Sequence, residues 1–134
     1  MSRTGDRGSL WRQLDDGALQ TILRGHPTEG VYNDGMRFFE ELRADMTTQY
    51  QDDKWKTAGV YRIENGEICF AYDQPMDTGC FEVWQRSENC FDLYFTGPRT
   101  TPNASYMNRL TGTGWDARFW LADRPATCPE AGLA

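Results

Sequence analysis

The chain has 134 residues, of which 39% are hydrophobic and 25% are charged, a composition that predicts one soluble globular domain rather than a disordered chain. Its net charge of −6 argues against a nucleic-acid or anionic-lipid partner, because both require clustered Lys and Arg. No apolar run approaches the roughly 18 residues of a membrane-spanning helix.

The N-terminal part predicts a short tail, residues 1–8, followed by one helix within residues 9–25. Ser9 can act as the N-cap, and Gly25 can end the helix. Apolar residues recur every fourth position: Leu10, Leu14, Ala18 and Ile22. This stripe is typical of an amphipathic helix, which we expect over about residues 10–23.

The first residues contain no apolar segment of the kind found in signal peptides. The N-terminus is therefore compatible with two interpretations. The chain is either cytosolic, or it is exported with a presequence that is not part of the sequence as given.

Residues 26–97 predict an antiparallel β-meander. Asn33-Asp34-Gly35 and Asn65-Gly66 are typical hairpin turns because these residues tolerate positive φ, and residues 87–89 predict a third turn. Between the turns, large apolar residues recur at every second position, as in Ile68, Phe70 and Tyr72. Strands at a spacing of about 8–12 residues predict a mainly β fold, a curled sheet or small barrel with one N-terminal helix.

Residues 98–134 predict a loop-rich C-terminal appendage of the same single domain, residues 1–134. Most of this segment is polar and rich in turn formers. The stretch WDARFWLA, residues 115–122, could return as a last strand, and Cys128 would hold the tail in place.

The four cysteines, Cys69, Cys80, Cys90 and Cys128, predict two disulfides in an oxidising compartment. Three pairings are possible, and we favour Cys69–Cys80 and Cys90–Cys128 because the first pair flanks a hairpin loop. Chain entropy would then contribute about 3 and 4 kcal/mol of stability respectively. The alternative is four buried free thiols in a cytosolic protein. No CxxC motif is present, so we expect no metal site.

Catalytic patterns are weak in this sequence. His26 is the only histidine, and no nucleophile motif accompanies it. Glu64 and Glu67 could form a glycosidase-like carboxylate pair, but they flank a turn and are better interpreted as solvated charges. No phosphate-binding glycine loop occurs, which argues against nucleotide binding. Because no catalytic set of residues is recognisable, we expect neither catalytic residues nor a cofactor.

The aromatic content, 13%, is the remaining functional signal. Large aromatic side chains suit sugar stacking, small apolar ligands and protein partners, unless they only fill the interior of a curled sheet. The candidate ligand-binding residues are Tyr61, Tyr72, Trp84, Trp115 and Trp120. Of these, Trp115 and Trp120 are the better candidates for exposed contacts.

A helix ending in LRG, followed by GVYNDGMRFFEEL, GEICFAY and CFEVW, resembles a family of small exported proteobacterial proteins of unknown function. The resemblance covers about residues 14–95, and residues 98–134 lie outside it. It implies a signal-exported, disulfide-bonded, mostly β domain without an established catalytic role, placed in the periplasm or secreted.

Together these observations predict a non-catalytic exported binding or accessory protein for a protein, a glycan or a small apolar ligand. The alternatives are an inhibitor of a periplasmic enzyme, which would insert residues 73–79 or 98–114 into its target, and a small carboxylate-dependent hydrolase. The hydrolase would need two acidic side chains in one cleft, one of them with a raised pKa.

Overall fold

The computed structural model describes residues 12–73 and 79–132. The strands are β1 (Arg12–Gln13), β2 (His26–Tyr32), β3 (Arg37–Leu42), β4 (Thr47–Asp52), β5 (Lys56–Glu64), β6 (Glu67–Tyr72), β7 (Gly79–Ser87), β8 (Cys90–Phe95) and β9 (Ala117–Leu121). The helices are α1 (Asp16–Ile22), α2 (Tyr106–Thr111) and a short 3-10 helix (Pro129–Gly132).

Strands β2 to β9 form a closed antiparallel barrel. Each strand pairs with the next one along the chain, and β9 pairs back onto β2, with Thr28 opposite Leu121 and Tyr32 opposite Ala117. The short β1 lies outside this circuit, paired with β7. The predicted fold class is confirmed, and of the two predicted forms the sheet takes the barrel, which leaves these eight strands without a free edge.

The predicted hairpin turns are confirmed. Asn65 and Gly66 join β5 to β6 with φ values of 55° and 76°, the pair of positive angles that a type I′ turn requires. Gly35, with a φ of 92°, lies in the turn between β2 and β3. Residues 88–89 connect β7 to β8.

One face of every barrel strand lines the interior, because side chains alternate along a strand. The inward positions that form the buried core are Phe38, Leu42, Tyr50, Tyr61, Ile68, Val83, Phe91, Ala117, Phe119 and Leu121. Gly30 makes room in this core, because a Cβ there would collide with the Phe38 ring and the Arg118 carbonyl. The barrel is therefore filled largely by its own side chains.

Helix α1 closes one end of the barrel. Leu14, Leu19 and Leu23 are fully buried against the core, and the Asp15 side chain accepts a hydrogen bond from the Ala18 amide as the N-cap. The helix is shorter than expected because Arg12 and Gln13 pair with β7 as a strand. The predicted stripe is also corrected, since Leu19 and Leu23 are buried whereas Ala18 and Ile22 are only partly so. Ser9 and Leu10 lie outside the described residues.

The C-terminal segment is more than an appendage. The predicted last strand is confirmed as β9, and its hydrogen bonds to β2 and β8 close the barrel. The preceding excursion, residues 97–116, carries α2 and packs on the outside of β7 and β8, where the Arg109 guanidinium binds the Glu82 carboxylate at 2.6 Å.

Both favoured disulfides are present. Cys69 and Cys80 are register partners on β6 and β7, and Cys90 at the start of β8 is bonded to Cys128 beyond β9. The described residues contain no free cysteine. None of the helices within residues 12–73 and 79–132 has the length and apolar character needed to cross a bilayer.

A buried polar cluster, which we call the Asp92 cluster, lies on the outer wall of β7, β8 and β9. It consists of Asp92, Arg86, Arg118 and Tyr94. The Asp92 carboxylate is completely buried and accepts hydrogen bonds from Arg86 Nε at 2.7 Å and from Arg118 Nε at 2.6 Å. The Tyr94 hydroxyl donates to the carbonyls of Asn108 and Thr113, which ties the α2 excursion to the barrel.

Candidate functional site

Among the described residues, the end of the barrel opposite α1 is bordered by the loops that follow β2, β4 and β8. Five of the inward-facing side chains near this end are aromatic and only partly buried. We call them the aromatic mouth: Tyr32, Phe70, Tyr72, Phe81 and Phe95. Partly exposed aromatic rings that point into a barrel offer apolar surface to a small molecule.

Four rings of the mouth form a connected series. Phe70 and Tyr72 stack with centroids 5.9 Å apart and planes 3° from parallel, and Phe81 approaches Phe70 edge-on at 6.1 Å. Phe81 and Phe95 continue the series at 5.5 Å. These spacings fall in the range of favourable aromatic pairs, so neighbouring rings support one another.

Glu40 lies beneath the mouth, facing inward from β3, with 6% of its surface exposed. Its Oε2 atom accepts hydrogen bonds from Tyr72 OH at 2.6 Å and from Thr48 Oγ1 at 2.7 Å. Burial raises the pKa of the Glu40 carboxyl to about 7, although both hydrogen bonds act in the opposite direction. Glu40 can therefore change its charge near neutral pH.

A second polar chain lies at the rim. The Tyr32 and Tyr50 hydroxyls are 2.7 Å apart, and the Tyr50 hydroxyl donates to the Asp52 carboxylate at 2.6 Å. Burial disfavours the charged form of Asp52, but the hydrogen bonds from Tyr50 and from the amides of Lys54 and Trp55 outweigh it and lower the pKa. Asp52 therefore stays ionised where Glu40 titrates.

A small cavity of about 20 Å³ lies between the mouth and α1, with Glu40 in its wall. The remaining lining residues are Leu23, Thr28, Phe38, Leu42, Ile68, Phe70, Leu93 and Phe119. This volume is enough for one water molecule or a polar group of similar size. Because Phe70 belongs to both the mouth and the cavity wall, the two features are adjacent.

The structure does not bring the five predicted ligand-binding residues together. Tyr72 belongs to the mouth, whereas Tyr61 is buried deeper, with its hydroxyl donating to the Arg43 carbonyl near the α1 end. Trp84, Trp115 and Trp120 lie outside the barrel. Trp84 and Trp120 are on the outer face of their strands because they follow inward-facing residues, Val83 and Phe119.

Each of the three tryptophans packs against the protein itself. Trp84 meets the Tyr106 ring of α2 at 6.4 Å, and the Arg118 guanidinium lies 4.8 Å from the Trp115 ring. Trp120 packs beside the Cys90–Cys128 disulfide. The predicted exposed contact by Trp120 is wrong, because it is 5% exposed.

Trp120 also lines an open groove of about 550 Å³ on the outer wall, together with Glu29, Arg37, Ala122, Arg124, Ala126 and Ala131. The cations of this groove already bind the chain: Arg37 donates to the Glu130 carbonyl, and Arg124 to the Asp123 carboxylate. The groove therefore has weaker chemical specificity than the barrel interior.

The other candidate catalytic groups lie away from the mouth. Glu64 and Glu67 face each other across the turn at the α1 end, and Glu64 pairs with Arg62 at 3.1 Å. His26, at the start of β2, binds the Asp123 carboxylate at 2.9 Å. Glu67 lies close to Cys69 and Cys80, but both of these sulfurs are committed to a disulfide and cannot ligate a metal as thiolates.

Glu40, Thr48 and Phe70 were missed as site residues in the sequence. The stretch RFFEEL contains a usable signal, because alternation places Phe38, Glu40 and Leu42 on one face of β3. A carboxyl group between two apolar residues on the inward face indicates either a buried ion pair or a functional group.

Comparison with protein-family models, curated proteins and solved structures found no match to this chain. The resemblance over residues 14–95 therefore stays a prediction, and the geometry of the barrel is the basis for a functional proposal.

Proposed function

We propose that this protein is a non-catalytic binding protein that takes a small apolar or aromatic ligand at the open end of its barrel. The observation that carries the proposal is the aromatic mouth, whose partly exposed rings lie above a buried carboxyl group that can be protonated or ionised. Eight-stranded barrels have interiors just wide enough for side chains or one small ligand. The mouth supports the second use of this architecture.

A small ligand fits this geometry better than a protein or a glycan. The rings point into the barrel, where a small molecule can reach them but a flat protein surface cannot. A ligand that covers them would remove apolar area from water, at about 25 cal/mol per Å². Glu40 and Tyr72 would contribute orientation through a polar atom at the inner end of the ligand.

The two disulfides support an exported location, periplasmic or secreted. Both close covalent loops of the kind that persist in oxidising compartments and are rare in the cytosol. In such a compartment the protein would meet its ligand outside the cell or in the envelope.

A titration with the neutral aromatic fluorophore N-phenyl-1-naphthylamine tests the proposal. We expect saturable binding, and about tenfold weaker binding for Phe81→Ala because one ring of the mouth is lost. The matched control is Phe39→Ala, since Phe39 is an exposed phenylalanine on the outer face of β3. Circular dichroism would confirm that both variants are folded. Binding that is absent, or equally affected by both variants, would contradict the proposal.

A second candidate function, inhibition of an enzyme through the predicted 98–114 segment, is favoured by α2. Tyr106, Met107 and Leu110 of this helix are exposed, while a capping box at Ser105 and the Arg109–Glu82 ion pair hold the helix in place. Assays against a panel of periplasmic hydrolases would test it. Inhibition that is lost on Met107→Asp, with fluorophore binding unchanged, would favour this function over the first.

A further inference from the structure

The charged groups that face the barrel interior are acidic. At the inward positions of the described barrel strands there is no Lys or Arg, whereas Glu40 and Asp52 both face inward on neighbouring strands. At the rim, Arg99 lies 5.4 Å from the Phe95 ring and is paired with Asp116 at 2.7 Å. The described part of the interior therefore offers Glu40 no cationic partner.

Glu40 also has an oxygen atom that is not used by the protein. Both of its hydrogen bonds are accepted by Oε2, and among the described residues Oε1 has no hydrogen-bond partner. Glu40 lines the cavity of about 20 Å³. Because Glu40 is 6% exposed and has lost most of its hydration, its open oxygen is suited to a hydrogen-bond donor that arrives with the ligand.

Aromatic side chains around an acidic centre favour a particular class of ligand. The face of an aromatic ring is electron-rich and attracts cations within about 6 Å of its centroid, and this attraction grows where water is excluded. Phe38, Phe70 and Tyr72 all lie close to Glu40, either in the cavity wall or through its hydrogen bond. Rings and carboxylate together match an ammonium group better than a neutral polar group.

We infer that the ligand of the aromatic mouth is an organic amine, with an apolar or aromatic body in the mouth and a primary ammonium group bound to Glu40 Oε1. This inference rests on the proposed function. The ammonium donates a charge-assisted hydrogen bond to Oε1, while Thr48 and Tyr72 continue to hold Oε2.

The pH dependence follows from the groups that share the interior. The titratable side chains at inward positions are His26 and Tyr32 on β2, Tyr50 and Asp52 on β4, Tyr61 on β5 and Tyr72 on β6. The other elements contribute apolar side chains: Leu23 at the C-cap of α1, Phe81 on β7, Leu93 on β8 and Phe119 on β9. Burial raises the pKa of Tyr50, Tyr61 and Tyr72, and the pKa of Asp52 is lowered. Glu40 is thus the interior group placed to gain charge between pH 5.5 and pH 8, and amine binding strengthens as the pH rises.

A pair of matched probes tests the inference on the native, disulfide-bonded protein. 2-Phenylethylamine carries an ammonium group, and 2-phenylethanol has a nearly identical shape without the charge. Their dissociation constants would be measured by NMR titration at pH 5.5 and pH 8, for the wild type, Glu40→Gln and Glu41→Gln. Glu41 is the control because it is the next residue on β3, on the opposite face, paired with the exposed Arg43.

We expect the amine to bind at least about tenfold more tightly than the alcohol at pH 8, in both the wild type and Glu41→Gln. This preference should shrink at pH 5.5 and be lost in Glu40→Gln, which keeps the size of the side chain but removes its charge. His26, the single histidine, lies at the α1 end, where it is paired with Asp123.

Equal affinity for the two probes at pH 8, or an amine preference that survives Glu40→Gln, would overturn the inference. Saturable binding of the alcohol at the mouth would in that case leave the proposed function standing. If neither probe binds, the inference is wrong, and the fluorophore titration separately decides whether the mouth binds ligands.

Discussion

Among the residues that the structure describes, two carboxyl groups are buried, and their surroundings differ. Asp92, on the outer wall, is contacted by the guanidinium groups of Arg86 and Arg118. Glu40, inside the barrel, has hydrogen bonds only from two hydroxyl groups, those of Thr48 and Tyr72. Both side chains are at most 6% exposed, so burial alone does not distinguish them.

The difference shows that the partners of a buried carboxyl group decide its role. Two cations compensate the lost hydration of Asp92 and fix three strands and the C-terminal segment in one arrangement. Neutral hydroxyl groups orient Glu40 without neutralising it, so its pKa rises to about 7 and it keeps the capacity to respond to a ligand or to pH. Asp92 is therefore structural, whereas Glu40 is the candidate functional group.

The largest expected effect is on the structural side of the comparison. Asp92→Asn removes the carboxylate charge that the Arg86 and Arg118 guanidinium groups share, and we expect it to lower the free energy of unfolding by about 3–5 kcal/mol. Urea denaturation at pH 7 would measure the loss. Glu41→Gln, which removes one exposed ion pair, should cost less than about 1 kcal/mol. If Asp92→Asn lowers the unfolding free energy as little as the control does, Asp92 does not have the structural role that distinguishes it from Glu40.

The next effect concerns the pH dependence of stability. The pKa of Glu40 is about 7 in the folded protein, against an ordinary value of 4.5, so the folded state retains this proton over that interval. The stabilisation that comes from this retained proton is fully present below about pH 4.5 and is lost as the pH rises through 7. The total loss in unfolding free energy is about 3 kcal/mol.

Urea denaturation of the wild type and Glu40→Gln at a series of pH values would isolate this effect. The wild type should lose stability relative to the variant between pH 4.5 and pH 7, and the difference should be constant above that range. A difference that stays flat throughout would mean that Glu40 is ionised in the folded protein at all these pH values, as expected for a carboxylate paired like Asp92.

A smaller effect is expected for Tyr72→Phe. Its hydroxyl donates to Glu40 and opposes the effect of burial, so its removal should raise the pKa of Glu40 further and cost about 1 kcal/mol in unfolding free energy. The carbon-13 chemical shift of the Glu40 carboxyl group, followed by NMR against pH, would report the change. A titration midpoint that moves to lower pH would contradict the assigned hydrogen bond.

Much of the β-structure could be predicted from local signals. Asn65-Gly66 and Asn33-Asp34-Gly35 specify tight turns, and the alternation of Ile68, Phe70 and Tyr72 identifies an inward face. The predicted site residues are not brought together by the fold, because alternation along one strand does not state which face will be inside. Trp84 and Trp120 were expected to bind ligand, yet they lie on the outer wall beneath other parts of the chain.

The sequence by itself determined the hairpins and the spacing that made Cys69–Cys80 the favoured disulfide, because a turn residue or a cross-strand pair depends on neighbours only a few positions away. Only the tertiary structure decided that β9 would return to β2, and this closure separates an interior from an outer wall. The unequal charge environments of Glu40 and Asp92 follow from it, because desolvation and ion pairing depend on residues distant in the chain.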